Sequence, residues 1–568
     1  MRLVLSMAAV LGAAAPAYAQ DSLVSIGDPA YLANDSAWGH VTVLRYPTLG
    51  LPEIVRAGNV ARAILKLPSA DGATVTITAT GDSNPYTRTL NVTGATPDAA
   101  TGTTTLTFAV PADVPADTYD LSVTVASQGV ADGQPNCFRV VAEESSTFTY
   151  VVVADPQFND PRGVMSPGNR NPNNYNVYGI VQQIKKELRA LNPTFAILCG
   201  DLLFGIDYDY EYEGAWNLWK DTGVPIFMVP GNHDGYASTE TRTLFGITSP
   251  QRDGLEHWRR HIGPNYFSFE FGGLHFQGVN SYDGSAARRD TFLIVVENYG
   301  GDLTQAQMDW IASDLAGVPL VVPFLHHNPL GPYRANVPFS ITWFILSRII
   351  TFLTGGSIED MGQTWNSQAT ADFLKTQYAG KAPFIWIGHE HHDQIETYAG
   401  QTYKLVTDAA TGGSGYWGYA LVEVTSGAVT SFLYNGASEQ SIPAGNLHVA
   451  VTGSQATVTS GLARAYEVTI EFLVPQAPSY VAVNGTVVAS SPVGGGQSRV
   501  WVRAASPVAA SIDSPASTTV ALEFTATAPP DGGSSGGGGG CGSTGAAGSA
   551  LPFLATLAAL LLGRRLAR

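Results

Sequence analysis

Val224-Pro225-Ile226-Phe227-Met228-Val229 runs directly into Pro230-Gly231-Asn232-His233-Asp234. A short apolar run bounded by turn residues predicts a buried strand, and Pro-Gly predicts a tight turn after it. That turn carries an amide, an imidazole and a carboxylate in succession. Asn can bind a hard metal through its amide oxygen, His can move a proton near neutral pH, and Asp can hold such a His in one tautomer. Alone, these three are ordinary loop residues. The rest of the chain decides between the two readings.

The same arrangement recurs four times. Phe148–Ala154 is a near-continuous apolar run ending in Asp155-Pro156-Gln157, and Phe195–Cys199 ends in Gly200-Asp201. Pro319–Leu325 runs into His326-His327-Asn328-Pro329, and Ala382–Ile387 into Gly388-His389-Glu390-His391-His392. Uninterrupted apolar strands are those buried on both faces. Between the first two, Val177, Ile180, Val181, Ile184, Leu188 and Leu191 fall at helical spacing, and a second helical stretch surrounds Trp216 and Trp219. The order is β-α-β-α-β with polar residues at each strand's carboxyl end, the edge where α/β sheets assemble sites. Six of the 11 histidines sit at these ends, which chance placement in loops would not produce.

The flanks read differently. Residues 20–144 are Thr/Val-rich with short alternating runs such as Ala73–Thr80 and Thr103–Val110, as are residues 441–528 with Ala465–Phe472 and Val500–Val502. Such spacing predicts two β-sandwiches, the first of immunoglobulin or fibronectin type, around an α/β catalytic domain at 145–440. At 568 residues the chain has room for all three. Net charge is −17 with no central Lys/Arg cluster, which excludes a nucleic-acid footprint.

Met1–Ala19 has one early Arg, an apolar run and an Ala17-Tyr18-Ala19 cleavage site, the pattern of a secretory signal peptide. Three cysteines, Cys137, Cys199 and Cys541, do not make a disulfide framework; Cys199 reads as a small buried hydrophobe, with a Cys137–Cys199 bridge left open. Residues 339–353 are strongly apolar but short for a membrane span. They suit a buried helix, with a hydrophobic lid or a membrane-surface helix as the alternative. Residues 529–550 form a Gly/Ser-rich linker, and 551–568 are apolar, then Arg-rich.

Together the strand ends offer Asp155, Gln157, Asp201, Asn232, His233, one of His326 and His327, His389 and His391. Mixed oxygen and nitrogen donors without thiolates suit Fe, Mn or Zn. They outnumber the needs of one octahedral ion, so two ions sharing a carboxylate are expected. Two ions about 3.5–4 Å apart can activate a bridging hydroxide and clamp a phosphate for in-line displacement.

The ordered set Asp155-x-Gln157, Gly200-Asp201, Gly231-Asn232-His233-Asp234, His326-His327 and Gly388-His389-Glu390-His391 resembles the calcineurin-like metallophosphoesterases over residues 146–435. The resemblance implies an α/β/β/α sandwich and hydrolysis of phosphate mono- or diesters by a hydroxide bridging two divalent or trivalent ions. It implies Asp155, Gln157, Asp201 and His391 on the first ion, and Asp201, Asn232, His326 and His389 on the second. His233 would contact phosphate or protonate the leaving oxygen, with Asp234 orienting it. His392, the next residue, is expected only to cap or hydrogen-bond at the site's rim. Two positions depart from the pattern. Gln157 stands where the family usually has His, and Phe204 stands where the purple acid phosphatase branch has its Tyr ligand.

The order Gly536–Gly540, Cys541, Leu551–Leu562, Arg564–Arg568 resembles the C-terminal sorting signals of some Gram-negative bacteria, which imply recognition by a membrane protease and delivery to the periplasm or cell surface. A phosphate ester is then the expected substrate. A surface-binding or adhesion protein that keeps the fold without catalysis is the other class.

Overall fold

The structure, a computed structural model, describes residues 24–524 except 35–37, 81–85, 159–176, 206, 239–252, 287–288, 293–294, 297–299, 332–364, 407–408, 410–415 and 434–440. The expected leader, linker, sorting tail, Cys541, and the apolar stretch 339–353 lie outside the described residues, as does most of the loop after Phe158.

The central body contains β1 (Ser25–Ile26), β2 (Phe148–Val153), α1 (Val177–Leu191), β3 (Phe195–Cys199), α2 (Tyr208–Trp219), β4 (Ile226–Val229), α3 (Gly254–His261), β5 (Phe267–Phe271) and β6 (Leu274–Gly278). It continues through α4 (Gln305–Asp314), β7 (Val321–Leu325), α5 (Gln368–Tyr378), β8 (Ile385–Ile387), β9 (Gln394–Tyr398), β10 (Gln401–Leu405), β11 (Gly418–Thr425) and β12 (Ala428–Leu433). One sheet runs β4-β3-β2-β11-β12, the other β1-β5-β6-β7-β8-β10-β9. The expected β-α-β-α-β series is present: β2, β3 and β4 are parallel, with Val151 opposite Ala196 and Ile197 opposite Phe227.

Period-two alternation explains the layering. Tyr150, Val152, Phe195, Ile197, Cys199, Phe227 and Val229 face Phe267, Phe269, Phe276, Val322, Phe324 and Trp386 of the second sheet. Phe227 and Phe269 stack at 3.6 Å between ring centroids. The alternate residues Val151, Val153, Ala196, Leu198, Ile226 and Met228 pack against Ile180, Ile184 and Leu188 of α1 and Leu218 of α2. On the far side, Val321, Leu325, Ile385 and Ile387 pack against α4 and α5 through Ile311, Ala371 and Leu374. Two sheets therefore lie face to face between helical layers. Each buried aliphatic or aromatic side chain contributes about 1.5–3 kcal/mol.

The start of the chain departs from the expected boundary. Residues 20–144 read as one β-rich module, yet Ser25 and Ile26 pair antiparallel with Ser268 and Phe267, extending the central sheet. Asp28, just after them, accepts from Arg259 Nε at 2.7 Å and Asn265 N at 3.1 Å. Two residues carry no readable period, so such an edge addition leaves no pattern in sequence.

Residues 44–141 form an eight-stranded arrangement in which the strand Thr87–Asp98 pairs with Ala73–Ala79 by its first half and with Thr103–Ala109 by its second, with a bulge between Val92 and Gly94. A strand that bends between two ladders wraps them around one core, here Leu106, Phe108, Val123 and Phe138. Residues 447–524 form a four-stranded and a three-stranded sheet, with Val458, Phe472, Val500 and Val520 between them and α1. Cys137 and Cys199 are both buried free thiols.

Candidate metal centre

The carboxyl ends of β2, β3, β4, β7 and β8 bring Asp155, Gln157, Asp201, Asn232, His326, His389 and His391 together. The backbone shows the cost of that convergence. Ten non-glycine residues have positive φ among the described residues, and five are here: Asp155 (51°), Gln157 (41°), Asp201 (54°), His389 (68°) and His391 (55°). Left-handed backbone costs roughly 1 kcal/mol or more per residue carrying a Cβ, and it persists where the surroundings over-determine it.

Glycines supply the room. At Gly200 (φ +82°) a Cβ would lie 2.6 Å from His326 Nδ1, and at Gly231 it would lie 2.1 Å from Asp201 Oδ1. Neither position accepts another residue without moving a donor.

Ligating atoms of Asp155, Asp201 and His391 lie within 4.8 Å of one another, as do those of His326, His327 and His389. The two sets touch. His326 Nε2 is 3.1 Å from Asp201 Oδ1, 3.1 Å from Asn232 Oδ1 and 3.2 Å from His389 Nδ1. His391 Nε2 is 3.2 Å from Asp155 Oδ1. Gln157 Nε2 donates to Asp201 Oδ2 at 3.0 Å and lies 3.4 Å from His391 Nε2. A half-turn of its amide would put the oxygen donor at the same place.

Of the two adjacent histidines, His326 faces the carboxylates, while His327 is tied through Nδ1 to the Ser281 hydroxyl at 2.8 Å. His327 still reaches the rim of the second set. His392 is held by the Glu390 carbonyl and the Gln394 amide, each at 2.7 Å, away from the carboxylates.

Residues 148–393 match the family model described as calcineurin-like phosphoesterase. This stretch is a calcineurin-like phosphoesterase domain. It is also similar to the serine/threonine-protein phosphatase CPPED1 of Rattus norvegicus, 29% identical over 192 residues, covering 31% of this chain and 52% of that protein. The Homo sapiens protein of the same name is 28% identical over 151 residues, covering 25% and 44%. The chain thus spans about half the length of the curated relatives it matches. A solved purple acid phosphatase PPD1 from yellow lupin (Lupinus luteus) aligns with 71% of this chain and 69% of its own, at 13% identity and TM-score 0.36.

The phosphoesterase domain's donor set passes a chemical test for metal. Asp155 Oδ1 is buried and accepts no hydrogen bond; a buried anionic oxygen without a donor is costly unless a cation meets it. His326 donates from Nδ1 to the Cys199 carbonyl at 2.8 Å, so in the neutral ring the Nε2 lone pair points at Asp201 and Asn232 oxygens. Acceptors facing acceptors need a cation between them. Burial opposes a charged His326, but Asp201 and Asp155 outweigh it and raise its pKa to about 9; the field that attracts a proton here attracts a metal ion. Burial acts to raise Asp201, and the neighbouring imidazoles of His326 and His233 reverse that and hold it well below the usual carboxylate range. His389, buried and beside His326, is pushed down to about 3, a neutral donor.

One expected role fails within this domain. Asp234 does not orient His233. Its carboxylate accepts from Gly231 N at 2.8 Å, Leu203 N at 2.9 Å and Leu202 N at 3.1 Å, so it ties the turn after β4 to the turn after β3. His233 is held instead by the Phe204 carbonyl, 2.7 Å from Nδ1. A backbone carbonyl serves as well as a carboxylate for fixing a tautomer and leaves no mark in the sequence.

Three further contacts escaped sequence reasoning. The Asn232 amide donates to Tyr236 Oη at 2.7 Å, which turns its oxygen toward His326. The His389 backbone N–H donates to Asp155 Oδ2 at 3.0 Å, and the His233 N–H to Asp201 Oδ1 at 3.0 Å. Only Tyr236 carried a sequence signal, an aromatic hydroxyl four residues beyond Asn232.

Proposed function

We propose that the chain is a metal-dependent phosphoric ester hydrolase using two ions, one held by Asp155, Gln157, Asp201 and His391, the other by Asp201, Asn232, His326 and His389. The observation that carries this reading is the buried, bondless Asp155 Oδ1 beside two contiguous donor sets that meet at Asp201. Ions bound there supply Lewis acidity, neutralising phosphoryl oxygens and lowering the pKa of water toward neutrality. Iron, manganese and zinc all fit these donors.

The chain's own residues do the rest. Asp201 and Asp155 hold the cations, and Asn232 completes a neutral side of the pocket. His233, with Nδ1 fixed on the Phe204 carbonyl, has Nε2 3.8 Å from Asp201 Oδ2 and its side chain 18% exposed. In this reading Nε2, near the carboxylates on a partly exposed ring, exchanges a proton with the leaving oxygen. Asp234 keeps the two turns in register.

The matching relatives are protein phosphatases by name, which makes phosphoserine and phosphothreonine esters the first substrates to try. The flanking modules read as β-sandwiches that position the domain. Export by the leader-like Met1–Ala19 and surface sorting by a membrane protease acting on the tail belong to the same proposal, supported by sequence order alone.

The test is hydrolysis of p-nitrophenyl phosphate and its bis-ester by the full chain reconstituted with Mn²⁺, Fe²⁺ or Zn²⁺. Saturable turnover that disappears on chelation is expected. No turnover of either ester with any of the three metals would refute the reading.

A further inference from the structure

A second convergence of imidazole and carboxylate lies outside the strand-end cluster and shares none of its residues. His40, Glu213 and His261 place one ligating atom each within 4.8 Å of one another. They come from three separate parts of the chain: the segment entering the first β-rich module, α2 and the end of α3. The phosphoesterase chemistry uses none of them.

Each donor is aimed by a specific neighbour. The His40 backbone is pinned because Val41 N donates to the Arg260 carbonyl at 2.7 Å and Gln134 Nε2 donates to the His40 carbonyl at 2.6 Å. Its ring lies flat on Trp216, 3.7 Å between centroids and 9° between planes, which directs Nε2 to Glu213 Oε2 at 2.7 Å. The other Glu213 oxygen accepts from Asn217 Nδ2 at 2.8 Å, so the carboxylate is oriented from behind. The His261 ring stacks on Tyr212 at 5.4 Å and meets the His40 ring edge-on at 5.3 Å. Such outer supports are what orient metal ligands. Nearby cations are otherwise engaged: Arg260 with Glu256, and Lys220 with Asn217 and the Trp216 ring.

We propose that His40, Glu213 and His261 form a Zn²⁺ site that clasps the segment entering the first β-rich module to α2 and α3. Two imidazoles and one carboxylate are a donor set zinc takes, with water as the fourth ligand. At bonds of roughly 2.0–2.2 Å the donors of a tetrahedral ion stand about 3.3 Å apart, a spacing the flexible Glu213 stem can reach. His40 and Glu213 side chains are 23% and 53% exposed, which admits an ion and its water.

The experiment counts metal. The full chain is loaded with Zn²⁺, passed through gel filtration and assayed by mass spectrometry of the metal, for wild type, His40→Phe and Glu213→Gln. His40→Phe keeps a ring on Trp216 while removing the donor, and Glu213→Gln keeps the shape of the carboxylate. Wild type should carry one more Zn²⁺ per chain than either variant, while hydrolysis of p-nitrophenyl phosphate stays within about twofold. With Co²⁺ in place of Zn²⁺, each variant should lose one component of the visible spectrum. Equal Zn²⁺ content in all three proteins would overturn the site. Because the count is independent of turnover, it stands or falls separately from the hydrolase reading.

Discussion

Two buried carboxylates sit at opposite ends of one architectural problem. Glu187, on α1 under the C-terminal sheets, accepts from Gly445 N at 2.7 Å, Tyr419 Oη at 2.8 Å, Gln183 Nε2 at 3.1 Å and Leu447 N at 3.3 Å. Asp155, at the end of β2, has one oxygen on the His389 N–H, while the other accepts no hydrogen bond and faces His391 Nε2 at 3.2 Å. Both are fully buried. A carboxylate whose oxygens are all met by donors reads as a joint; one with an oxygen facing imidazole nitrogens and accepting no hydrogen bond reads as a candidate ligand. The difference separates structural from functional burial better than burial itself.

The sharpest way to break the comparison is Asp201→Asn. The variant keeps shape and removes the charge that the proposed reading has both donor sets share. Metal content should fall by at least one ion per chain, and kcat/KM for p-nitrophenyl phosphate by roughly 10³-fold or more. Retained metal with full turnover would mean Asp201 is no bridge.

The matching change at the joint is Glu187→Ala. It leaves the Tyr419 hydroxyl and two backbone N–H groups without their acceptor, so stability should drop by about 2–4 kcal/mol. Turnover per folded molecule should not move. Urea unfolding beside an active-site titration separates the two quantities. A loss of turnover without a loss of stability would erase the distinction between joint and ligand.

Much of this was legible beforehand, and the reasons differ by residue. Asp155, Asp201, Asn232, His326, His389 and His391 were readable because apolar strands buried on both faces must end where the sheet ends, and their next residues must share that edge. The layer order came only from the family resemblance, because near-continuous apolar strands do not say what covers each face. Asp234 was misread because adjacency in sequence suggested adjacency of side chains, whereas successive residues in a turn diverge. Its partners are backbone N–H groups of the neighbouring turn, which no sequence displays. Ser25 and Ile26 were assigned to the wrong body because strand pairing across more than two hundred residues leaves no local period.

Tyr236→Phe tests a subtler part of the contrast, the outer support of a neutral ligand. Losing the hydroxyl frees the Asn232 amide to turn its nitrogen toward the cations. Metal affinity at the second donor set should weaken about 10-fold or more, with the fold intact. Competition with a chelator of known affinity measures it, and an unchanged affinity would assign Tyr236 to packing alone.

The smallest expected effect asks whether imidazole–carboxylate contact alone marks a site. His275 on β6 bonds Glu270 at 2.6 Å through Nδ1 and Asp314 at 2.9 Å through Nε2. Both nitrogens therefore have acceptors, and a proton on each satisfies the ring without a metal. Burial disfavours its charge, yet the hydrogen bonds to Asp314 and Glu270 prevail and raise its pKa from 6.5 to about 9. A folded-state pKa above the unfolded one stabilises the fold fully below pH 6.5, and the contribution is lost as pH rises through about 9. Between pH 7 and 9.5 the urea stability of the wild type should fall by on the order of 1–2 kcal/mol more than that of His275→Gln. Parallel pH profiles for the two proteins would show that His275 is neutral in the fold.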